Sequence, residues 1–166
     1  YMDGLRAAFV VRDPTDKVPY AESLLQVTDW YQERAHIDAQ AGFLYDDNDG
    51  AEPVPQSALI NGVGQAYCAE GAPCKYAVFA AKPGSCNSPM TKLRVVNTGG
   101  FGPFFLSVDN HQMKVIAVDA TPTQPSELVT SLFVNIGERY DVLVCPTAAA
   151  GDVTGTSHWI RVGESA

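Results

Sequence analysis

The sequence predicts an all-β fold, a β-sandwich built of short strands. Along most of its hydrophobic segments apolar and polar residues alternate with a period of two, as in strands with one buried face. These segments are short and separated by Gly, Pro, Asn and Asp, the punctuation of a many-stranded sandwich. A helical pattern is confined to one weak stretch, Tyr31–Gln40.

In chain order, the first strand candidates are Ala8–Val11 and Ser23–Thr28. Asp46–Gly50 and the following Ala51–Pro55 read as a loop, because like charges are crowded there and proline cannot donate to a ladder. Asn61-Gly62-Val63-Gly64 reads as a hairpin turn rather than a nucleotide-binding glycine cluster. Ala69–Met90 is a second loop, rich in Cys and Pro, with one short strand inside it at Tyr76–Ala80. Lys92–Asn97 then places Leu93 and Val95 on one face and Arg94 and Val96 on the other. Phe104–Val108 follows, then Gln112–Val118, whose faces are both largely apolar and which suits a strand inside the sandwich. Leu132–Ile136 runs through a Gly137-Glu138 turn into Arg139–Val144, with Tyr140, Val142 and Val144 on one face. Trp159–Val162 closes the series.

The chain has 166 residues, a length suited to one domain and to burying roughly 68–70% of the unfolded surface. Its 11 Lys and Arg against 19 Asp and Glu give a net charge of −8, which argues against binding a phosphate backbone or an anionic membrane. No apolar run approaches the roughly 20 residues of a spanning helix. The chain opens at Tyr1 with neither an initiator Met nor a signal-type segment, and so reads as a processed or excised piece. Asp13-Pro14 makes a natural boundary after a short first segment.

The four cysteines, Cys68, Cys74, Cys86 and Cys145, are even in number and sit in a Pro/Gly-rich acidic chain, which favours disulfides and an oxidising compartment. Three pairings are possible, and the crowding of Cys68, Cys74 and Cys86 favours at least one bridge there. A zinc site is disfavoured, with no CxxC pair and no histidine near the cysteines. The histidines are His36, His111 and His158; none forms a His-x-His pair or a short His/Cys loop, so the ligand pattern of a blue-copper site is missing. His111 and Met113 share a strand face, and His111 reads as a hydrogen-bonded structural residue. No nucleophile elbow, P-loop or dinucleotide fingerprint occurs. The residues by themselves describe a binding or structural sandwich.

Several phrases, taken in order, resemble the multicopper oxidases. They are Tyr1–Arg6, Val27–Tyr31 with its Asp-Trp-Tyr, Glu52–Gly62, Leu93–Asn97, Asp109–Met113, Arg139–Val144 and Ser157–Arg161. The resemblance implies a cupredoxin-like Greek-key sandwich. It assigns residues 1–13 to the tail of a first cupredoxin domain and 14–166 to a second, copper-free one. In such an enzyme the first and third domains carry the copper, four ions in all. His111, Asp109, Arg94, Trp30 and Arg139, within these phrases, would be structural. The implied activity couples one-electron oxidation of ferrous iron, a phenol or an enediol to reduction of O₂ to water, in a secreted or cell-surface enzyme.

The resemblance also bears on the substrate. Where phenol-oxidising laccases place a carboxylate against the substrate hydroxyl, this chain has Phe101, which accepts no proton. Val96–Phe101 is closer to the fungal iron-oxidising members, in which a Glu helps bind ferrous iron; Glu52 matches it. A hard anionic oxygen donor favours the more highly charged ferric product. Asp49 and its neighbours would add a field that attracts cations. The bland alternative for Glu52 is a solvated loop residue beside Pro53, and the alternative for the whole chain is a stand-alone, non-catalytic packing or binding module.

Overall fold

The computed structural model describes residues 4–12, 14, 20–31, 54–68, 73–82, 91–151, 153 and 155–163. Strand β1 (Ala21–Trp30) pairs antiparallel with β2 (Ser57–Ile60) on one side and parallel with β3 (Thr91–Asn97) on the other. β3 continues antiparallel to β8 (Arg139–Pro146), β8 to β5 (His111–Val118), and β5 to the two-residue β6 (Thr121–Pro122). The larger sheet therefore runs β2-β1-β3-β8-β5-β6. The smaller is β7-β4-β9, with β4 (Phe104–Val108) between β7 (Ser131–Val134) and β9 (Ile160–Gly163). The two layers form a Greek-key sandwich.

The core lies between the sheets. Leu25 and Val27 of β1, Leu93 and Val95 of β3, Met113 of β5 and Val142 of β8 meet Phe104, Leu106 and Val108 of β4 and Leu132 and Val134 of β7. The alternation in β3 and β8 faces the way the period-two pattern predicts, and Tyr140 and Val144 join the same cluster. In β5 the alternation is interrupted: the pairing with β8 shifts between Val115 and Ala117, so Ile116 is bulged out of register and packs on the opposite face.

That opposite face is covered rather than solvated. Leu143 and Cys145 are buried there with Tyr20 and Ile116 packed against them. Beside them Glu22, Lys92, Arg94 and Asp141 form an ion-pair cluster across β1, β3 and β8. Arg12 closes it from outside, its Nη1 2.6 Å from Glu22 Oε2.

Two expected strands are not formed. Residues 8–11 join no ladder, and Phe9 and Val11 are largely exposed. Tyr76–Ala80 alternates as a strand would, with Phe79 packed on the core, yet makes no ladder. Strand β2, by contrast, was not apparent from periodicity. It is closed by the hairpin turn expected at Asn61-Gly62, where both residues adopt left-handed φ (50° and 78°) and Ile60 and Val63 exchange backbone hydrogen bonds. Asn61 ties this turn to β1, its side-chain oxygen accepting from the Gln26 amide and its Nδ2 donating to the Leu24 carbonyl. The helix expected at residues 31–40 falls, from 32 onward, outside the described residues.

Candidate functional site

The loop 98–102 that follows β3 is held by two buried side chains. Asp29, near the end of β1, is 1% exposed. Its Oδ2 accepts three consecutive backbone N–H groups, from Gly100 (2.8 Å), Phe101 (2.6 Å) and Gly102 (3.2 Å). Asn97, the last residue of β3 and equally buried, grips the same loop. Its Nδ2 donates to the carbonyls of Gly102 and Val134, and its Oδ1 accepts from the Gly99 amide. Only glycine fits at 99, because a Cβ there would lie 2.9 Å from Asp29 Oδ2 and 3.0 Å from Asn97 Oδ1. The sequence placed both residues in its phrases without revealing this. The three glycines after Asn97 signal a close backbone approach, but the partner lies some seventy residues earlier in the chain.

A second polar group gathers at the β4–β5 corner. Arg161 of β9 grips Asp109 with two parallel hydrogen bonds, Nε to Oδ1 (2.8 Å) and Nη2 to Oδ2 (2.7 Å). These bonds lower the Asp109 pKa and raise that of Arg161. His111 hydrogen-bonds through Nδ1 to the Asp109 carbonyl at 2.8 Å, which makes Nδ1 its protonated nitrogen. The His158 ring lies edge-on to it, with centroids 4.9 Å apart. Both His158 nitrogens are occupied: Nδ1 accepts from Asn110 Nδ2 (3.3 Å) and Nε2 meets Thr156 Oγ1 (2.7 Å), whose own proton goes to the Val153 carbonyl. The two rings, with Tyr76 packed edge-on to Trp159, border a groove of about 1410 Å³ between β2, β9 and the 76–82 segment.

Of the remaining expected site residues, Glu52 and Asp49 lie outside the described residues, as do Cys86 and His36. Arg94 belongs to the ion-pair cluster on the outer face, contacting Glu22 (2.9 Å) and Asp141 (3.2 Å). Trp30 ends β1, paired in register with Ser57. Arg139 pairs with Asp119 at 3.0 Å and donates to the Gly137 carbonyl. Cys68 and Cys74 form the disulfide expected in the cysteine-rich stretch, and Cys145 is also disulfide-bonded.

Among the described residues no three His, Cys, Asp or Glu side chains converge on a common point. The two histidines that do meet spend three of their four ring nitrogens on hydrogen bonds within the chain.

The multicopper oxidase family model matches residues 21–165, nearly the whole chain. The chain belongs to the multicopper oxidase family. Among its relatives, Laccase-4 of Thanatephorus cucumeris is 32% identical over 167 residues, covering 97% of this chain and 29% of its own length. The iron transport multicopper oxidase fio1 of Schizosaccharomyces pombe is 32% identical over 146 residues, covering 87% of this chain and 21% of its own. The crystal structure of Fet3p, described as a multicopper oxidase that functions in iron import, superposes with a TM-score of 0.58 at 25% identity, covering 82% of this chain and 23% of that one. This multicopper oxidase chain thus spans under a third of the length of these relatives, and its sandwich is of the cupredoxin type. Among the described residues no helix is long and apolar enough to cross a membrane.

Proposed function

We propose that residues 14–166 are the copper-free middle cupredoxin domain of a multicopper oxidase, and that residues 1–13 are the tail of a first such domain. The parent enzyme would couple four one-electron oxidations of ferrous iron, or of a phenol or enediol, to reduction of O₂ with four protons to two waters. The observation that carries this reading is a family match across nearly the whole chain in a segment that spans under a third of its relatives. The occupied ring nitrogens of His158 and the hydrogen-bonded Nδ1 of His111 support a structural role for both histidines. Copper, four ions in the parent, would then be held by the first and third domains and supply the electron transfer.

In this reading the segment spaces the copper-bearing domains and shapes the approach of the electron donor. Glu52 offers ferrous iron a hard oxygen ligand that binds the ferric product more strongly, and Asp49 adds to the attracting field. The disulfides at Cys68–Cys74 and at Cys145 support a secreted or cell-surface enzyme. Purification of the intact parent tests the reading directly. A protein several times longer than this chain, blue and copper-loaded, is expected; a copper-free protein without oxidase activity would leave only a packing or binding module. Within the oxidase, Glu52→Ala should depress ferrous turnover about tenfold or more while sparing phenol turnover. Equal losses for both donors would remove the iron assignment.

A further inference from the structure

We propose that Thr121 and Thr123 form an O-glycosylation site, their hydroxyls being the acceptors of neutral sugars attached in the secretory pathway. The proposal rests on the secreted reading above and adds to it a modification and the residues that carry it.

Residues 119–125, Asp-Ala-Thr-Pro-Thr-Gln-Pro, are exposed without a break. They lie along the outer rim of the larger sheet, where β6 is the edge strand. Val118 pairs with Thr121 and Ala117 with Pro122, and the Thr123 amide donates to the Ile116 carbonyl at 3.0 Å. In an antiparallel ladder the residue before a bonded amide turns its backbone away from the partner strand. That residue is Pro122, which has no N–H to offer a further strand. The edge is thus closed to sheet extension while its side chains stand in solvent, where a bulky group displaces nothing.

The two hydroxyls differ from the other serines and threonines near them. Ser126 Oγ is spent within the chain, accepting from the Val115 amide (2.9 Å) and donating to the Glu127 carbonyl (2.6 Å). Thr156 likewise donates to the Val153 carbonyl. Neither the Thr121 nor the Thr123 hydroxyl makes a hydrogen bond within the described residues. Thr130 and Ser157 are also exposed but have no proline within four positions. Thr121 precedes Pro122, and Thr123 lies between Pro122 and Pro125. Proline holds the backbone extended with the hydroxyl clear of it, and Ser/Thr beside Pro is the composition of O-glycosylated segments.

Local charge favours a neutral group. Asp119 stands two residues before Thr121, Glu127 four after Thr123, and Arg139 is already paired with Asp119 at 3.0 Å. A phosphate on either hydroxyl would meet like charge. The transfer joins threonine Oγ1 to the anomeric carbon of a sugar carried as a phosphate ester on a nucleotide or a lipid. The bond from that carbon to the phosphate oxygen breaks, the phosphate leaves with the electron pair, and the hydroxyl proton passes to the transferase or to water.

The test uses the intact parent oxidase expressed in a fungal host, with its tryptic peptide Val115–Arg139 mapped by electron-transfer fragmentation. That peptide holds Thr121, Thr123, Ser126, Thr130 and Ser131, so the fragments must tell them apart. One or more sugar increments are expected on Thr121, Thr123 or both. The double variant Thr121→Val, Thr123→Val should lose them at unchanged copper content, and Thr130→Val should keep them. A wild-type peptide bare at both positions, phosphate in place of sugar, or sugar confined to Ser126, Thr130 or Ser131 would each overturn the proposal. The wild-type map decides by itself if the double variant is not secreted. A parent retained in the cytosol with Cys68 and Cys74 reduced would overturn the secreted reading, and the glycan with it. Bare threonines on a secreted, disulfide-bonded parent would overturn the glycan alone.

Discussion

Lys92 Nζ lies 2.5 Å from Glu22 Oε1 on the outer face of the larger sheet, where both side chains are less than a tenth exposed. The two residues are register partners in the parallel β1–β3 ladder, so the ion pair is built into the strand alignment itself. Arg94, Arg12 and Asp141 surround it, and the cluster fills a face that a period-two reading assigns to solvent.

Stability should depend on pH through Glu22. Burial alone would raise its pKa, but hydrogen bonds from Lys92 and Arg94 outweigh burial and hold it at about 2, against 4.5 for an ordinary glutamate. The unfolded chain therefore takes up this proton first as pH falls. The contribution is fully present above about pH 4.5 and is lost as pH falls from there toward 2, on the order of 3 kcal/mol in total. Urea unfolding between pH 6 and pH 2 should show this loss, and Glu22→Gln should flatten the slope. A variant with the wild-type slope would place the acid sensitivity elsewhere.

Two glycines should separate close approach from backbone strain. Gly99→Ala pushes a methyl group onto Asp29 and Asn97 and should cost about 1–3 kcal/mol. At Gly62 space is open, but φ is 78°, and Gly62→Ala should cost roughly 1 kcal/mol from left-handed backbone alone. Chemical denaturation ranks them, and only the first should also disturb the amides of residues 100–102.

Among the described residues Phe104 is the largest fully buried side chain, and it reaches into the core from the smaller sheet. Phe104→Ala should destabilise the domain by about 3–5 kcal/mol, more than either glycine variant, through the cavity it leaves. A loss below 1 kcal/mol by thermal or urea unfolding would mean that the two sheets are not packed through this residue.

The Cys68–Cys74 bridge closes a short loop, with a sequence separation of 6. Replacing both cysteines by serine should cost about 2 kcal/mol through the freed unfolded chain. The comparison is best made by urea unfolding under non-reducing conditions, with Cys86 and Cys145 left intact.

Much of the sandwich was legible because its central strands obey a local rule. Leu93 and Val95, and Tyr140, Val142 and Val144, announce their buried faces by alternation, and the structure keeps those faces. The failures are non-local. Tyr76–Ala80 has the alternation of a strand yet joins no ladder, and no local pattern reports whether a partner strand will be there. Residues 8–11 carry the apolar content of a strand while Phe9 and Val11 stand in solvent. The burial of Lys92 is not visible in its strand alone, since a single strand cannot reveal that its polar face will be covered. Asp29 stayed hidden for the same reason: the amides it binds lie on a loop across the β1–β3 seam, and only the glycines at 99, 100 and 102 hinted at a tight approach.

The parallel pairing of β1 with β3 has an evolutionary consequence. Parallel neighbours cannot be joined by a tight turn, so the chain must travel from the end of β1 back to the start of β3 between Tyr31 and Met90, adding β2 to the sheet on the way. The entropy of closing such an excursion grows only with the logarithm of its length, about 0.6 kcal/mol for each doubling. Insertions and deletions between Tyr31 and Met90 that spare β2, its Asn61-Gly62 turn and the core contact of Phe79 are thus cheap in closure entropy, while changes within β3 or β8 break ladder pairing. Glu52 and three of the four cysteines sit on that permissive stretch. On the reading proposed above, new preferences for the electron donor can be tried there without renegotiating the fold.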